Sequence, residues 1–398
     1  MMKIVVTGGG TGGHTMPALS VALAARQAGA EILYVGSERG IENRVVPAYD
    51  VPFTALEVYP LSKPWSATGA KALIKFWQAY RHARKLLNDF QPDVVFGTGG
   101  YAAAAVLMAQ IKRKGPTVLH EQNIIPGRVN AKLGCKSSVV CLAFSGAESH
   151  FPGVKTDVVG MPLRSEVTST ELTAAQARER FGLSPDRFTV VVVGGSQGAQ
   201  GLNEVILSTV QHLPQQTVQW LHVCGEQHSK AMRHTADAIG LNGNYKTWSF
   251  LEGVDVANAY RAADMLVCRA GASTLFEIAY WGLPAVLVPY PYAFADHQRF
   301  NAEYFTQRGA AEMINQFELT PASLSLAIER WRSHEGQRQE ISERVKALSI
   351  PDSTERVLEV LQQVSGKKFD QFFRKPLGAN KAVVEIMSKN GAKVYPEM

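Results

Sequence analysis

Two stretches of this chain begin in the same way: a β-branched run empties into a glycine-rich loop, and the loop leads into a helix. Near the N-terminus Val5-Val6-Thr7 runs into Gly8-Gly9-Gly10-Thr11-Gly12-Gly13-His14. Further on, Val191-Val192-Val193 runs into Gly194-Gly195-Ser196-Gln197-Gly198-Ala199. Continuous apolar runs separated by helical segments suit strands buried on both faces, as in a parallel sheet covered by helices. The expected fold is therefore α/β, with two doubly wound Rossmann-like domains.

Short apolar runs at Ile4–Thr7, Glu31–Val35, Asp93–Gly97, Thr117–His120 and Ser138–Leu142 predict the first sheet. Those at Thr189–Val193, Val218–Val223, Met265–Cys268 and Ala285–Val288 predict the second, with the division near Gly160–Glu171. In such sheets ligands bind beyond the carboxyl ends of the strands. Two domains with those ends facing place one site in the cleft between them.

The length, 398 residues, suits two domains, and 46% hydrophobic residues with 19% charged exclude a disordered chain. Cys135, Cys141, Cys224 and Cys268 are too scattered for a disulfide framework, a zinc site or a redox pair, so no metal or other cofactor is expected. The start, Met-Met-Lys-Ile-Val-Val, lacks the pattern of a signal peptide. No apolar run reaches the roughly 20 residues of a spanning helix. Of the net charge of +6, Leu61–Phe90 carries +5 and Val364–Met398 carries +4, leaving the remaining residues at −3. A charge so localised argues against nucleic acid and for an anionic surface.

The first loop satisfies G-x-G-x-x-G, a pattern that brings backbone N–H groups close to phosphate. A dinucleotide site also wants an acid closing the second strand, where only Glu38 is available, so an NAD(P)-dependent oxidoreductase is the weaker alternative. His14 stands at the start of a helix, where a neutral imidazole can take a proton, and its counterpart in the second loop is Ala199. His120-Glu121-Gln122-Asn123 ends a strand, as does Gly97-Thr98-Gly99-Gly100-Tyr101 beside it. The polar cluster reads equally as a ligand site or as a loop that caps the next helix.

In the second half Cys268-Arg269-Ala270-Gly271-Ala272-Ser273-Thr274 follows a strand and starts a helix whose free N–H groups suit a diphosphate. Glu277 lies four residues after Ser273, on the same helical face, where a carboxylate can accept from ribose hydroxyls. Asp296-His297-Gln298 brings polar groups within reach of a sugar. Around Ala70–Phe90, Leu73, Phe76, Trp77, Tyr80 and Leu87 follow one helical face with Ile74 at its edge, flanked by Lys71, Lys75, Arg81 and Lys85 and preceded by Trp65. That face either packs on the sheet or meets an anionic membrane. A membrane-surface adaptor without catalysis is the reading from a different class.

Taken together, GGGTGGH, GTGGY, HEQN, GGSQGA, CRAGASTLFEI and DHQ, in this order over about residues 3–363, resemble the MurG family of peptidoglycan-pathway transferases. The resemblance implies a GT-B architecture, with an acceptor- and membrane-facing domain over 1–160 and a UDP-sugar domain over 161–350. It is completed by a C-terminal helix over 351–363 returning to the first domain and a basic tail over 364–398. It implies transfer of N-acetylglucosamine from UDP-N-acetylglucosamine to undecaprenyl-pyrophosphoryl-N-acetylmuramoyl-pentapeptide at the cytoplasmic face of the bacterial membrane. By position it implicates Thr11, Gly12, Gly13, Asn123, Arg164, Ser196, Leu251, Ala272, Ser273, Thr274, Leu275, Phe276, Glu277 and Gln298 in substrate binding, and Trp65, Lys71, Ile74, Lys75, Phe76 and Trp77 in membrane contact. His14 and Glu121 are the catalytic candidates, His14 as base. Gly160-Met161-Pro162 departs from the family's Gly-Asn-Pro, and the tail matches nothing in it. A UDP-N-acetylglucosamine 2-epimerase of the same fold is the nearest rival.

Overall fold

The computed structural model describes residues 1–60, 67–195, 199–213, 217–241 and 243–370. Seven strands form the first sheet: β1 (Lys3–Thr7), β2 (Glu31–Ser37), β3 (Phe53–Leu56), β4 (Val94–Gly97), β5 (Thr117–Glu121), β6 (Val139–Leu142) and β7 (Lys155–Val158). Six form the second: β8 (Phe188–Val193), β9 (Val218–Val223), β10 (Tyr245–Trp248), β11 (Met265–Cys268), β12 (Ala285–Leu287) and β13 (Glu312–Met313). The orders are β3-β2-β1-β4-β5-β6-β7 and β10-β9-β8-β11-β12-β13. Every pairing is parallel.

The order reverses between β1 and β4 in one sheet and between β8 and β11 in the other. These are the topological switch points, where neighbouring connections leave to opposite faces and open a crevice. The loops after β1, β4, β8 and β11 are the glycine-rich ones singled out from the sequence. The sheet interiors are saturated with Val, Ile and Leu. Ile4, Val5, Val6, Val190, Val191 and Val192 are all fully buried.

Four strands, β3, β7, β10 and β13, escape the reading of apolar runs, and each is an edge strand. An edge strand has one neighbour and an open flank, so its residues need not be apolar throughout. β7 reads Lys-Thr-Asp-Val and β13 only Glu-Met.

Packing and hydrogen bonds tie the halves together. The helix Ser353–Ser365 puts Val357, Leu358, Val360 and Leu361 into the same core as Met2, Ile4 and Val6. Ser353 Oγ donates to the Met161 carbonyl at 2.5 Å, just beyond the end of the first sheet. Phe144, in the loop after β6, packs edge-on against Phe276 and Tyr304 of the second half, at 4.9 and 5.1 Å between ring centroids.

Candidate active site

Between the sheets lies a cleft of about 1390 Å³ lined from both sides. Thr11, Gly12, Gly13, His14 and Asn123 line it from the first half. Arg164, Leu251, Ala272, Ser273 and Thr274, with Glu277 and Gln298, line it from the second. Ser196 and Trp65 lie outside the described residues. Glu121, Leu275 and Phe276 do not line the cleft. Leu275 and Phe276 are core residues, as their apolar side chains on the inward face of the Ala272–Trp281 helix dictate.

Glu121 is fully buried. Its Oε1 accepts from the Asn123 backbone and side-chain amides, at 2.9 and 3.2 Å. Its Oε2 accepts from the Gly127 N–H and Asn130 Nδ2, at 3.1 and 2.9 Å. These four amide donors tie the Glu121 carboxylate to the shape of the loop after β5.

His14 begins the first helix, Gly12–Gln27. Its Nδ1 lies 2.9 Å from the Thr98 carbonyl and 2.9 Å from Gln122 Oε1, both acceptors, so Nδ1 carries the proton. Among the described residues Nε2 has no partner, and its lone pair faces the cleft. Around it the glycine loop is closely filled. Glu42, fully buried, accepts from the Gly10 and Ser37 N–H groups, each at 2.9 Å. A Cβ on Gly9 would stand 2.2 Å from that carboxylate, which is why only glycine fits. Gly100, at φ +78°, would bring a Cβ within 2.1 Å of the Gly9 carbonyl. Glu42 was not found from the sequence, because nothing in Ile-Glu-Asn-Arg distinguishes this acid from a solvated one.

Across the cleft, the Ala272–Trp281 helix presents an open N-terminus capped only by Gly271. Ser273 Oγ is buried and has no partner among the described residues. Glu277, one turn on, accepts from Tyr260 at 2.5 Å. Burial raises its pKa, while the Tyr260 hydrogen bond and the Arg164 charge hold it down. Arg164 itself donates to Tyr49 at 2.8 Å and to Glu166 at 3.0 Å. Gln298 Oε1 accepts from the Tyr290 N–H at 3.0 Å.

Asn301, a further residue the sequence reading missed, joins the halves. It donates to Asn123 Oδ1 at 3.0 Å and accepts from the Ile124 N–H at 3.1 Å. Asn123 is therefore held in place by the second half. The signal lay in spacing: Asn301 falls one helical turn after His297 on the Asp-His-Gln helix. At the cleft mouth the Arg128 guanidinium lies over the Phe294 ring, 4.5 Å from its centroid.

The Ala67–Phe90 helix divides differently from the expectation. Its buried face is Ala72, Ala79, Ala83 and Leu87, while Phe76 is half-buried and lines the cleft. Ile74 and Trp77 are 60% and 53% exposed, and Leu73 is 40% exposed. Lys75 is paired with Glu57 at 2.5 Å and Lys71 lies over the Tyr59 ring, so neither is a wholly unpaired cation. Among the described residues no helix is long and apolar enough to cross a membrane, and no acid, histidine or cysteine cluster suits a metal.

Paired doubly wound domains whose switch points face across one cleft, with the His14 imidazole and an open helix N-terminus on its two sides, define the GT-B fold. The glycosyltransferase family 28 N-terminal domain matches residues 4–137, and the family's C-terminal domain matches residues 189–357. The chain is 36% identical over 365 residues to the UDP-N-acetylglucosamine–N-acetylmuramyl-(pentapeptide) pyrophosphoryl-undecaprenol N-acetylglucosamine transferase of Bacillus subtilis, covering 91% of this chain and 99% of that one. The same-named protein of Lactiplantibacillus plantarum is 34% identical over 365 residues, covering 91% and 99%. The crystal structure of Acinetobacter baumannii MurG superposes with a TM-score of 0.73 at 29% identity, over 91% of this chain and 100% of that one. The chain belongs to glycosyltransferase family 28 and, within it, to the MurG family. The UDP-GlcNAc 2-epimerase of Neisseria meningitidis, at TM-score 0.66 and 12% identity over 91% of this chain and all of the other, shares the fold alone.

Proposed function

We propose that this enzyme transfers N-acetylglucosamine from UDP-N-acetylglucosamine to the 4-hydroxyl of lipid-linked N-acetylmuramoyl-pentapeptide, inverting the anomeric carbon to a β-1,4 linkage. The observation that carries the mechanism is the pairing, across one cleft, of His14 Nε2 with the open Ala272–Trp281 helix N-terminus and its Ser273 hydroxyl, both without a partner among the described residues. The acceptor oxygen attacks the anomeric carbon, its proton passes to His14 Nε2, and the bond to the β-phosphate breaks with its electron pair leaving on UDP. The helix N-terminus and Ser273 stabilise that leaving charge. Glu277 receives the ribose hydroxyls, Gln298 and Asn123 border the sugar, and Leu251 borders the base. Burial raises the Glu277 pKa above the ordinary carboxylate range, and the Tyr260 hydrogen bond and the Arg164 charge oppose part of that rise.

The same reading places the enzyme in cell-wall biogenesis, and so in cell shape and division, at the cytoplasmic face of the bacterial membrane. Ile74, Trp77 and Leu73 support the membrane contact, since exposed large apolar groups beside basic residues suit an anionic interface. The deciding experiment supplies labelled UDP-N-acetylglucosamine and purified lipid acceptor to the enzyme. Labelled lipid product is expected, and none under conditions that support a control enzyme overturns the assignment. Binding to anionic vesicles, reduced at least severalfold by Ile74→Ser with Trp77→Ser, tests the membrane contact.

A further inference from the structure

Behind His14 the hydrogen bonds form a line with only one consistent assignment of protons. The Gly160 carbonyl can only accept, so His120 Nε2, 2.8 Å away, donates to it. Burial holds the His120 imidazole neutral, with its pKa lowered to about 4, so Nδ1 is left as an acceptor. Gln122 Nε2 donates to that Nδ1 at 3.1 Å and to the His120 carbonyl at 2.8 Å. A carbonyl fixes which end of the Gln122 amide carries the nitrogen. Oε1 therefore faces His14, and Nδ1 of His14 must be the protonated nitrogen.

The anchor of this line lies at the junction of the two halves. Gly160, at φ +82°, directly follows the first sheet, and a Cβ there would stand 2.7 Å from Ile350. Its neighbour Met161 accepts the hydrogen bond of Ser353.

We propose that Gln122 is a positioning residue which, held by His120 on the Gly160 carbonyl, fixes the His14 ring with its proton on Nδ1 and its lone pair on Nε2. The orientation of the base is then set from the interdomain junction and not by the glycine loop alone. This rests on His14 being the base. The Thr98 carbonyl also accepts from Nδ1 but leaves the ring free to tilt about that single contact. Gln122 is the second point that removes the freedom.

Gln122→Met keeps the volume and removes both polar ends. In the full chain, with lipid acceptor and under chemistry-limited conditions, turnover should fall between about 10- and 100-fold with the donor KM unchanged. The ¹⁵N imidazole signals of His14 should show Nδ1 protonated and Nε2 bare in the wild-type enzyme; in Gln122→Met the Thr98 carbonyl still holds the Nδ1 proton, so the tautomer should stay while the Nδ1–H signal broadens as the ring tilts. A wild-type His14 protonated on Nε2 overturns the proposal without recourse to any variant. So does a Gln122→Met enzyme with normal turnover and an unbroadened His14 signal while His14→Gln is inactive. Near-normal turnover in His14→Gln instead removes the base assignment, and this proposal with it.

Discussion

The two sides of the cleft look alike in sequence and are finished in opposite ways. On the N-terminal side the protein fills its own glycine turn: Glu42 takes the Gly10 and Ser37 N–H groups, and the Gly9 carbonyl leaves no room for a Cβ at Gly100. On the C-terminal side the helix start at Ala272 is left open, with Ser273 lacking a partner among the described residues. A buried carboxylate makes the Gly9–Gly10 turn a poor seat for a further anion, whereas unclaimed donors at a helix N-terminus make a good one. The glycine pattern alone thus does not identify an anion site; what matters is whether the protein has already satisfied the donors.

The largest test of this contrast removes the group that the N-terminal side contributes. His14→Gln should lower turnover by about 10²- to 10⁴-fold, the usual worth of a general base, with donor affinity retained by equilibrium titration. Glu42→Ala should act on folding and not on the donor. It strands two buried N–H groups at roughly 1–3 kcal/mol each, to be read from urea unfolding, while UDP affinity stays unchanged. A lost UDP affinity there with full stability would reverse the comparison.

Acid should also separate the halves. His120 in the first and His222 in the second are buried and neutral, with pKa values lowered to about 4 and about 3 from an ordinary 6.5. Their stabilising effect is complete above pH 6.5 and is lost as pH falls, because the unfolded chain binds protons that the folded rings refuse. For His120 the loss by pH 4 is roughly 3 kcal/mol. Hydrogen exchange followed between pH 7 and pH 4 should show both sheets losing protection, and His222→Gln should flatten the dependence in the second only. The smallest effect is expected on the open side: Ser273→Ala should weaken UDP binding by about 1 kcal/mol, read by calorimetry, with unfolding unchanged because the hydroxyl has no partner to lose among the described residues.

Much of the fold was legible because a strand buried on both faces writes an uninterrupted apolar run. All nine interior strands of the two sheets, from Ile4 to Leu287, announce themselves in this way. The edges do not, since an open flank relaxes the demand. In the cleft, His14, Ser273 and Glu277 were legible because they sit at fixed offsets from a glycine loop or a helix start. Glu121, Leu275 and Phe276 stand in equally suggestive motifs but point into the protein, and a motif carries no direction. The Ala67–Phe90 helix shows the same limit. Its apolar residues outnumber those one buried face can hold, and only packing decided that Ala72, Ala79 and Ala83 go inward while Ile74 and Trp77 remain outside.

What the sequence determined by itself was therefore local: the alternation of strand and helix, the two glycine turns and the polar groups placed after them. Tertiary structure decided which donors were already spent. Glu42 reaches Gly10 across 32 residues, and Asn301 reaches Asn123 across 178. Hydrogen bonds over such separations depend on where the sheets bring the chain, and no local pattern of residues can encode them.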